Sequence, residues 1–93
     1  MDNTTNYKVQ FGREYRAIEY EDAQGHYTFT FDYDVAEYMA KGTTKKLFLS
    51  KGPPIKAMKV MECNNQAERE RVAMMLERVK EYLSSLGYEV VIV

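Results

Sequence analysis

The chain has 93 residues, a formal net charge of −1 and 45% hydrophobic residues, which is enough for one folded domain with its own core. Its single cysteine excludes an internal disulfide, and no apolar run reaches the roughly 18 residues that span a membrane. We therefore expect a single domain over residues 1–93, with residues 1–6 disordered. The polar N-terminus lacks the features of a signal peptide, which predicts a cytoplasmic protein.

The charges are segregated along the chain. The stretch from Arg13 to Glu37 carries seven carboxylates against two arginines, whereas the stretch from Tyr38 to Lys59 carries six lysines and no carboxylate. Segregation of this kind affects association and electrostatic steering more than it affects the fold. It indicates a protein that meets a charged partner.

The clearest strand runs from His26 to Tyr33, where polar and aromatic side chains alternate strictly. Alternation of this composition is typical of a strand with one buried face. A four-residue loop at 22–25 would join it to a preceding strand and place Tyr20 opposite Tyr27.

A third strand is predicted further back, joined by a two-residue turn at Gly12-Arg13 that places Phe11 opposite Glu14. The two turns assign one consistent apolar face, which a one-residue slip would destroy. Its members are Tyr7, Val9, Phe11, Ile18, Tyr20, Tyr27, Phe29, Phe31 and Tyr33. The opposite side of the meander, called the polar face below, carries Lys8, Gln10, Tyr15, Ala17, Glu19, Glu21, His26, Thr28, Thr30 and Asp32.

After the meander, Asp34 and Gly42 predict the two ends of a short helix. Its apolar side chains are expected to point inward: Val35, Tyr38 and Met39. Residues 45–50 and 55–61 predict two more strands around a loop at 50–54.

A long helix is predicted between Asn65, which with Glu68 resembles a capping box, and Gly87, which suits a C-terminal cap. Apolar side chains recur on one face at Val72, Met75, Leu76, Val79, Leu83 and Leu86, and this face should cover the aromatic side of the sheet. The fold class is therefore α+β.

The chain ends with a predicted strand at residues 88–93, and its last four residues, 90–93, are continuously apolar, which predicts burial on both faces. The passage from residue 55 to residue 93 would be a right-handed strand–helix–strand crossover between parallel neighbours. Because the polar face of the meander is open, the second cover would come either from the short helix at 35–41 or from another chain. This mismatch predicts self-association or strand addition through the final strand.

Little in the sequence points to catalysis. The only histidine, His26, starts a strand beside a turn, and Glu19 and Glu21 near Thr28 resemble an ordinary solvated strand face more than an active site. Residues 41–46 lack the glycine spacing of a phosphate-binding loop. We expect a non-enzymatic protein with no catalytic residues, no metal and no cofactor.

The lysine-rich segment 41–59 allows a nucleic-acid or polyanion-binding function, with Lys41, Lys45, Lys46, Lys51 and Lys56 as contacts. The segment has no arginine for base readout, and the isoelectric point near 5.8 is low for a nucleic-acid binder. Two other roles remain open: lysines that protect strand edges from pairing, and a contact with a protein.

The polar face offers a different interaction surface. Tyr15 is a large aromatic among Glu19, Glu21 and Asp32, and an aromatic surrounded by acids is typical of a contact with a basic protein. We therefore assign these four residues as candidate partner-binding residues. A half-buried tyrosine at a sheet edge is the alternative interpretation of Tyr15.

Several stretches resemble small bacterial immunity proteins of polymorphic toxin systems. They are Ile18-Glu19-Tyr20-Glu21-Asp22 with Gly25 and Tyr27-Thr28-Phe29, the Pro-Pro loop, Glu68-Arg69-Glu70-Arg71-Val72 leading into Leu76-Glu77-Arg78-Val79, and the closing Gly87-Tyr88-Glu89-Val90. Small phage inhibitors of host defence share the size and charge. The resemblance implies an inhibitor that occludes a basic surface of a toxin or nuclease. The alternatives are the nucleic-acid module and a structural homo-oligomer, such as a homodimer through the C-terminal strand.

Overall fold

The computed structural model describes residues 6–13 and 16–93. The predicted disorder of residues 1–6 lies outside the described residues except at Asn6, and so does Tyr15. The described elements are β1 (Tyr7–Phe11), β2 (Ala17–Asp22), β3 (Gly25–Tyr33), α1 (Val35–Lys41), β4 (Lys46–Leu49), β5 (Ile55–Lys56), β6 (Lys59–Val60), α2 (Gln66–Ser85) and β7 (Glu89–Ile92).

The strands form one mixed sheet in the order β1-β2-β3-β4-β7, and the β5–β6 hairpin attaches to β3. All pairs are antiparallel except β4 with β7. Helix α2 covers the aromatic side of this sheet, so the α+β class is confirmed. The buried hydrophobic core comes from the sheet and from α2: Ile18, Tyr20, Tyr27, Phe29, Phe31, Leu47, Leu49, Val72, Met75, Leu76, Val79 and Leu83.

The register between β2 and β3 is confirmed, since Tyr20 lies opposite Tyr27. The two-residue turn at Gly12-Arg13 is wrong: Phe11 faces Ile18, and the Gly12 N–H donates to the Ala17 carbonyl at 2.8 Å. This four-residue slip is even, so each side chain keeps its predicted face. The longer loop pairs all of β1 with β2 and stacks Tyr7 on Tyr20, with ring centroids 5.7 Å apart.

The caps of α1 are confirmed. The Asp34 side chain accepts the Glu37 N–H at 3.1 Å, and Gly42 ends the helix at φ 78°, a conformation that favours glycine. The inward orientation of its apolar side chains is wrong, because Val35, Tyr38 and Met39 are 58%, 55% and 78% exposed. Helix α2 already covers the apolar face of the sheet, and α1 buries none of its residues.

The single strand predicted at 55–61 is also wrong, because the chain turns back at Ala57 and Met58 to form the β5–β6 hairpin. Both turn residues have positive φ, 53° and 64°. Two consecutive left-handed residues are the backbone of a type I′ hairpin turn. That turn normally has asparagine or glycine at these two positions. The sequence Ala57-Met58 therefore does not indicate a turn.

Helix α2 is confirmed, and its Asn65 cap accepts the Glu68 N–H at 2.9 Å. The final strand β7 is parallel to β4, and the crossover therefore does not start at residue 55. Its predicted burial on both faces is wrong. Val90 and Ile92 share the side of the core residues Leu47 and Leu49 but are only half-buried, because β7 is the last strand of the sheet, and Val91 on the other side, which α2 does not cover, is half-buried too. Among the described helices, none has an apolar stretch long enough to cross a membrane.

Candidate functional site

The polar face brings two of the predicted contact residues together. Glu19 and Glu21 alternate along β2, about 7 Å apart at about 3.3 Å per residue. Their β3 neighbours are Thr28 and His26, and Lys8 of β1 lies opposite Glu21. The His26 Nε2 atom is 3.4 Å from the Glu19 carboxylate, so this end of the face has two acids beside one lysine and one imidazole.

Asp32 does not join this pair. It lies four residues along β3 from Thr28, about 13 Å away. Its carboxylate forms an ion pair with Arg16, with Nη1 and Oδ1 2.7 Å apart, and its cross-strand neighbour is Phe48. The acids of the polar face are therefore partly balanced by cations, and among its described residues only Glu19 and Glu21 form a local acidic pair. The remaining predicted contact, Tyr15, lies outside the described residues.

The β5–β6 hairpin adds apolar side chains to the polar face. Ile55 lies opposite Thr28, and Val60 lies opposite Ile55, so both share the side that carries Glu19. Between hairpin and sheet lies a depression of about 460 Å³, called the hairpin groove below. Its lining residues are Gly12, Arg13, Ala17, Glu19, His26, Thr28, Ile55, Ala57 and Met58.

The tip of the hairpin presents a methionine to solvent. Met58 is 97% exposed, the most exposed of the large apolar side chains in the described residues. It and Ala57 adopt the left-handed conformation that costs a residue with a Cβ about 1–2 kcal/mol. Strain of this kind persists at functional positions when the surrounding structure holds it in place. Sequence reasoning missed this feature because it assigned the segment to one straight strand.

The predicted anion-binding lysines do not converge on one surface. Lys46 lies on the polar-face side, 3.7 Å from the Glu89 carboxylate and above the Phe48 ring. Lys45 lies over the Tyr88 ring, with Nζ 5.1 Å from the centroid. These two lysines therefore already have partners within the protein.

The other lysines are dispersed. Lys56 lies on the opposite side of the sheet from Lys46, with its Nζ 5.2 Å from the centroid of the Tyr27 ring. Lys41 is the last residue of α1, and Lys51 follows β4 and donates its backbone N–H to the Val93 carbonyl. A continuous basic strip along segment 41–59 is therefore not formed.

A charged network that the sequence did not predict joins α2 to the sheet. Arg71 Nη2 donates to both oxygens of the Asp22 carboxylate, at 2.7 and 2.8 Å. The Tyr20 hydroxyl donates to Asp22 at 2.9 Å and accepts a hydrogen bond from Arg78 at 2.7 Å. The pattern that could have revealed it is that Asp22 continues the buried alternation of Ile18 and Tyr20.

Burial and charge act against each other in this network. Burial works to raise the pKa of Asp22, but hydrogen bonds from Arg71, Gln24 and Tyr20 outweigh it and hold that pKa below its ordinary value. Burial raises the pKa of Tyr20 even though the Arg78 hydrogen bond opposes it. The network therefore keeps an ionised carboxylate and a neutral phenol under the edge of the helix.

Side chains that could bind a metal ion do not cluster in the described part of the chain. Within residues 6–13 and 16–93, no three histidine, cysteine or acidic side chains come together in a way that could hold a metal ion. The cysteine, Cys63, is half-buried and packs against the core near the start of α2.

Comparison with known proteins gives no relative for this chain: no protein-family model, curated protein or solved structure matches it.

Proposed function

We propose that this protein is a non-enzymatic protein-binding module, an inhibitor of the immunity type that acts in the cytoplasm and occludes a basic surface of a toxin or nuclease. The observation that carries the proposal is the exposed Met58 on a strained turn, beside a groove with Glu19 in its lining. An exposed apolar side chain next to a carboxylate can give a partner protein both an apolar contact and a charged one.

Met58 supplies the apolar part of the contact. Methionine is enriched at protein interfaces because its flexible thioether adapts to the opposing surface. Ile55 and Val60 flank it on the same side of the hairpin, so a partner would cover all three together. Burial of apolar side chains at the centre of a contact supplies most of the binding free energy.

Glu19 and Glu21 supply the charged part of the contact. Glu21 is exposed and Glu19 is half-buried at the edge of the groove. Arg13 and Lys8 lie nearby, so the attraction for a basic partner is local to the two glutamates and does not extend over the whole face. Local charge of this kind raises the association rate and selects against acidic partners. Asp32 is left out of the proposed contact because Arg16 pairs with it.

The experiment is affinity capture from the native host lysate after nuclease treatment. The wild-type protein should retain one stoichiometric protein. Met58→Ser and the pair Glu19→Lys/Glu21→Lys should each lose it. Two matched controls should keep it: Met39→Ser, an exposed methionine on α1, and Glu77→Lys/Glu81→Lys, exposed acids on α2. Equal retention by the wild type and all four variants would refute the proposed surface.

The homo-oligomer alternative has one specific observation in its favour. The Glu89 and Val93 N–H groups donate to the carbonyls of Lys45 and Leu49, at 2.7 and 2.9 Å, so the backbone groups of Val90 and Ile92 point away from the sheet. Strand addition at this end would use those groups. Sedimentation over a hundredfold range of concentration distinguishes the cases, because a monomer throughout removes this alternative.

A further inference from the structure

Met58 is the most exposed methionine in the part of the chain that the structure describes. Its side chain is 97% exposed at the tip of the β5–β6 hairpin, and it is not part of the hydrophobic core. We propose that Met58 is a reversible oxidation site, and that its conversion to methionine sulfoxide by a peroxide releases the partner protein. This inference rests on the proposed function, because it assigns a form of regulation to the same contact.

The chemical step is an oxygen transfer to the thioether sulfur. The O–O bond of hydrogen peroxide breaks, a bond forms between one of its oxygens and Sδ, and the other oxygen leaves as water. The sulfur is oxidised and the peroxide is reduced. Two thiols of a reductase system reverse the step, because they are oxidised to a disulfide while the sulfoxide oxygen leaves as water.

Exposure separates Met58 from the other described methionines. Met75 is fully buried in the core, and Met61 and Met74 are partly buried against it. Susceptibility to oxidation follows the exposure of the sulfur, so these three should react slowly. Met39 is 78% exposed, but it lies on α1 and does not line the hairpin groove. It therefore serves as an oxidisable methionine outside the contact.

The sulfoxide removes the property that makes Met58 suitable as an anchor. A thioether is apolar and adapts to an opposing surface, whereas a sulfoxide is polar and carries a hydrogen-bond acceptor. A partner that covers Met58 together with Ile55 and Val60 would bury this acceptor among apolar groups. A buried acceptor without a donor weakens binding by about tenfold or more.

Oxidation and binding should exclude each other. The partner covers the Met58 side chain in the proposed complex, so peroxide reaches the sulfur only in the free protein. The fold should tolerate the sulfoxide, because Met58 is outside the core and its left-handed backbone, at φ 64°, belongs to an exposed turn. Loss of binding would then report on the contact and not on unfolding.

The test compares the wild type with Met58→Leu, which keeps an apolar side chain of similar volume but has no sulfur. Both proteins are treated with hydrogen peroxide, and peptide mass spectrometry follows oxidation at each methionine. Met58 and Met39 should oxidise first and Met75 last. The protein concentration that captures half of the partner from the native host lysate should rise about tenfold or more for the oxidised wild type. It should not change for oxidised Met58→Leu, which shares Cys63 and Met39 with the wild type.

Treatment of the oxidised wild type with methionine sulfoxide reductases and a thiol reductant should restore capture. Circular dichroism of the oxidised proteins verifies that the fold is intact. Oxidised wild type that captures the partner as well as the untreated protein would overturn the switch and leave the proposed contact standing. Equal losses in the two oxidised proteins would overturn it too, as would oxidation of Met58 no faster than that of Met75. Untreated wild type that captures nothing would refute the proposed function and, with it, the release step.

Discussion

Arg71 Nη2 lies 2.7 Å from Oδ2 of Asp22 and joins the first half of α2 to the end of β2. The two residues are 49 positions apart in the sequence, and their side chains are 14% and 4% exposed. A buried ion pair needs further hydrogen bonds to offset the cost of desolvation. Asp22 obtains them from Tyr20 and from the Gln24 N–H, so the pair sets the position of the helix on the sheet.

Replacing Arg71 should destabilise the fold. Arg71→Met leaves the Asp22 carboxylate buried without its cation, and we expect the free energy of unfolding to fall by about 3 kcal/mol. Urea unfolding measures this directly. Arg69→Met on the exposed face of α2 is the matched control and should cost less than about 0.5 kcal/mol. Equal losses in the two variants would contradict the role of the pair.

The same pair predicts a pH dependence of stability. Because the pKa of Asp22 is lower in the folded than in the unfolded state, its contribution is present above the unfolded value of about 3.9 and is lost as pH falls through the folded value. Asp22→Asn should therefore lower the free energy of unfolding at neutral pH. The difference in this free energy between the variant and the wild type should shrink in the acid range. A difference that stays constant down to pH 2 would be the contrary result.

The β5–β6 turn should show a conflict between stability and binding. Ala57→Asn with Met58→Gly places residues that favour type I′ geometry at both left-handed positions, and we expect a gain of about 1 kcal/mol in the free energy of unfolding. The same variant removes the exposed methionine and should lose the captured partner. A more stable variant that still binds would show that Met58 is not the anchor.

The lysine segment gives a separate prediction. Lys45→Glu with Lys46→Glu should leave partner binding unchanged, because these lysines lie against Tyr88 and Glu89 and not beside the hairpin groove. The salt dependence of binding measures the outcome. Binding that vanishes in this variant and falls steeply with salt in the wild type would favour the nucleic-acid module.

The sequence predictions that are confirmed rest on local patterns. The alternation from His26 to Tyr33 specified both the strand and its buried face, and the Asn65 cap specified the start of α2. The β1–β2 register was wrong because a glycine marks a turn but does not fix the length of the loop. The two-faced burial of β7 was wrong because an apolar run does not reveal whether its strand ends the sheet.

The candidate site also has features that local sequence spacing indicates and features that it does not. Glu19 and Glu21 lie together because residues two apart on a strand share a face. Asp32 lies apart from them because it is four residues along β3 from Thr28, whereas its ion pair with Arg16, whose backbone is left-handed at φ 66°, was not indicated by the sequence. The dispersal of the lysines depends on the turn at Ala57 and Met58 and on the order of the strands. Neither this turn nor the strand order follows from the spacing of residues along the chain.

The most direct measurement is a titration of the captured partner's toxin or nuclease activity with this protein. The account predicts that activity falls to zero at one equivalent of wild type or of the Met39→Ser control, and that one equivalent of Met58→Ser or Glu19→Lys/Glu21→Lys leaves most of it. A partner that remains fully active while bound to the wild type would contradict occlusion as the mechanism.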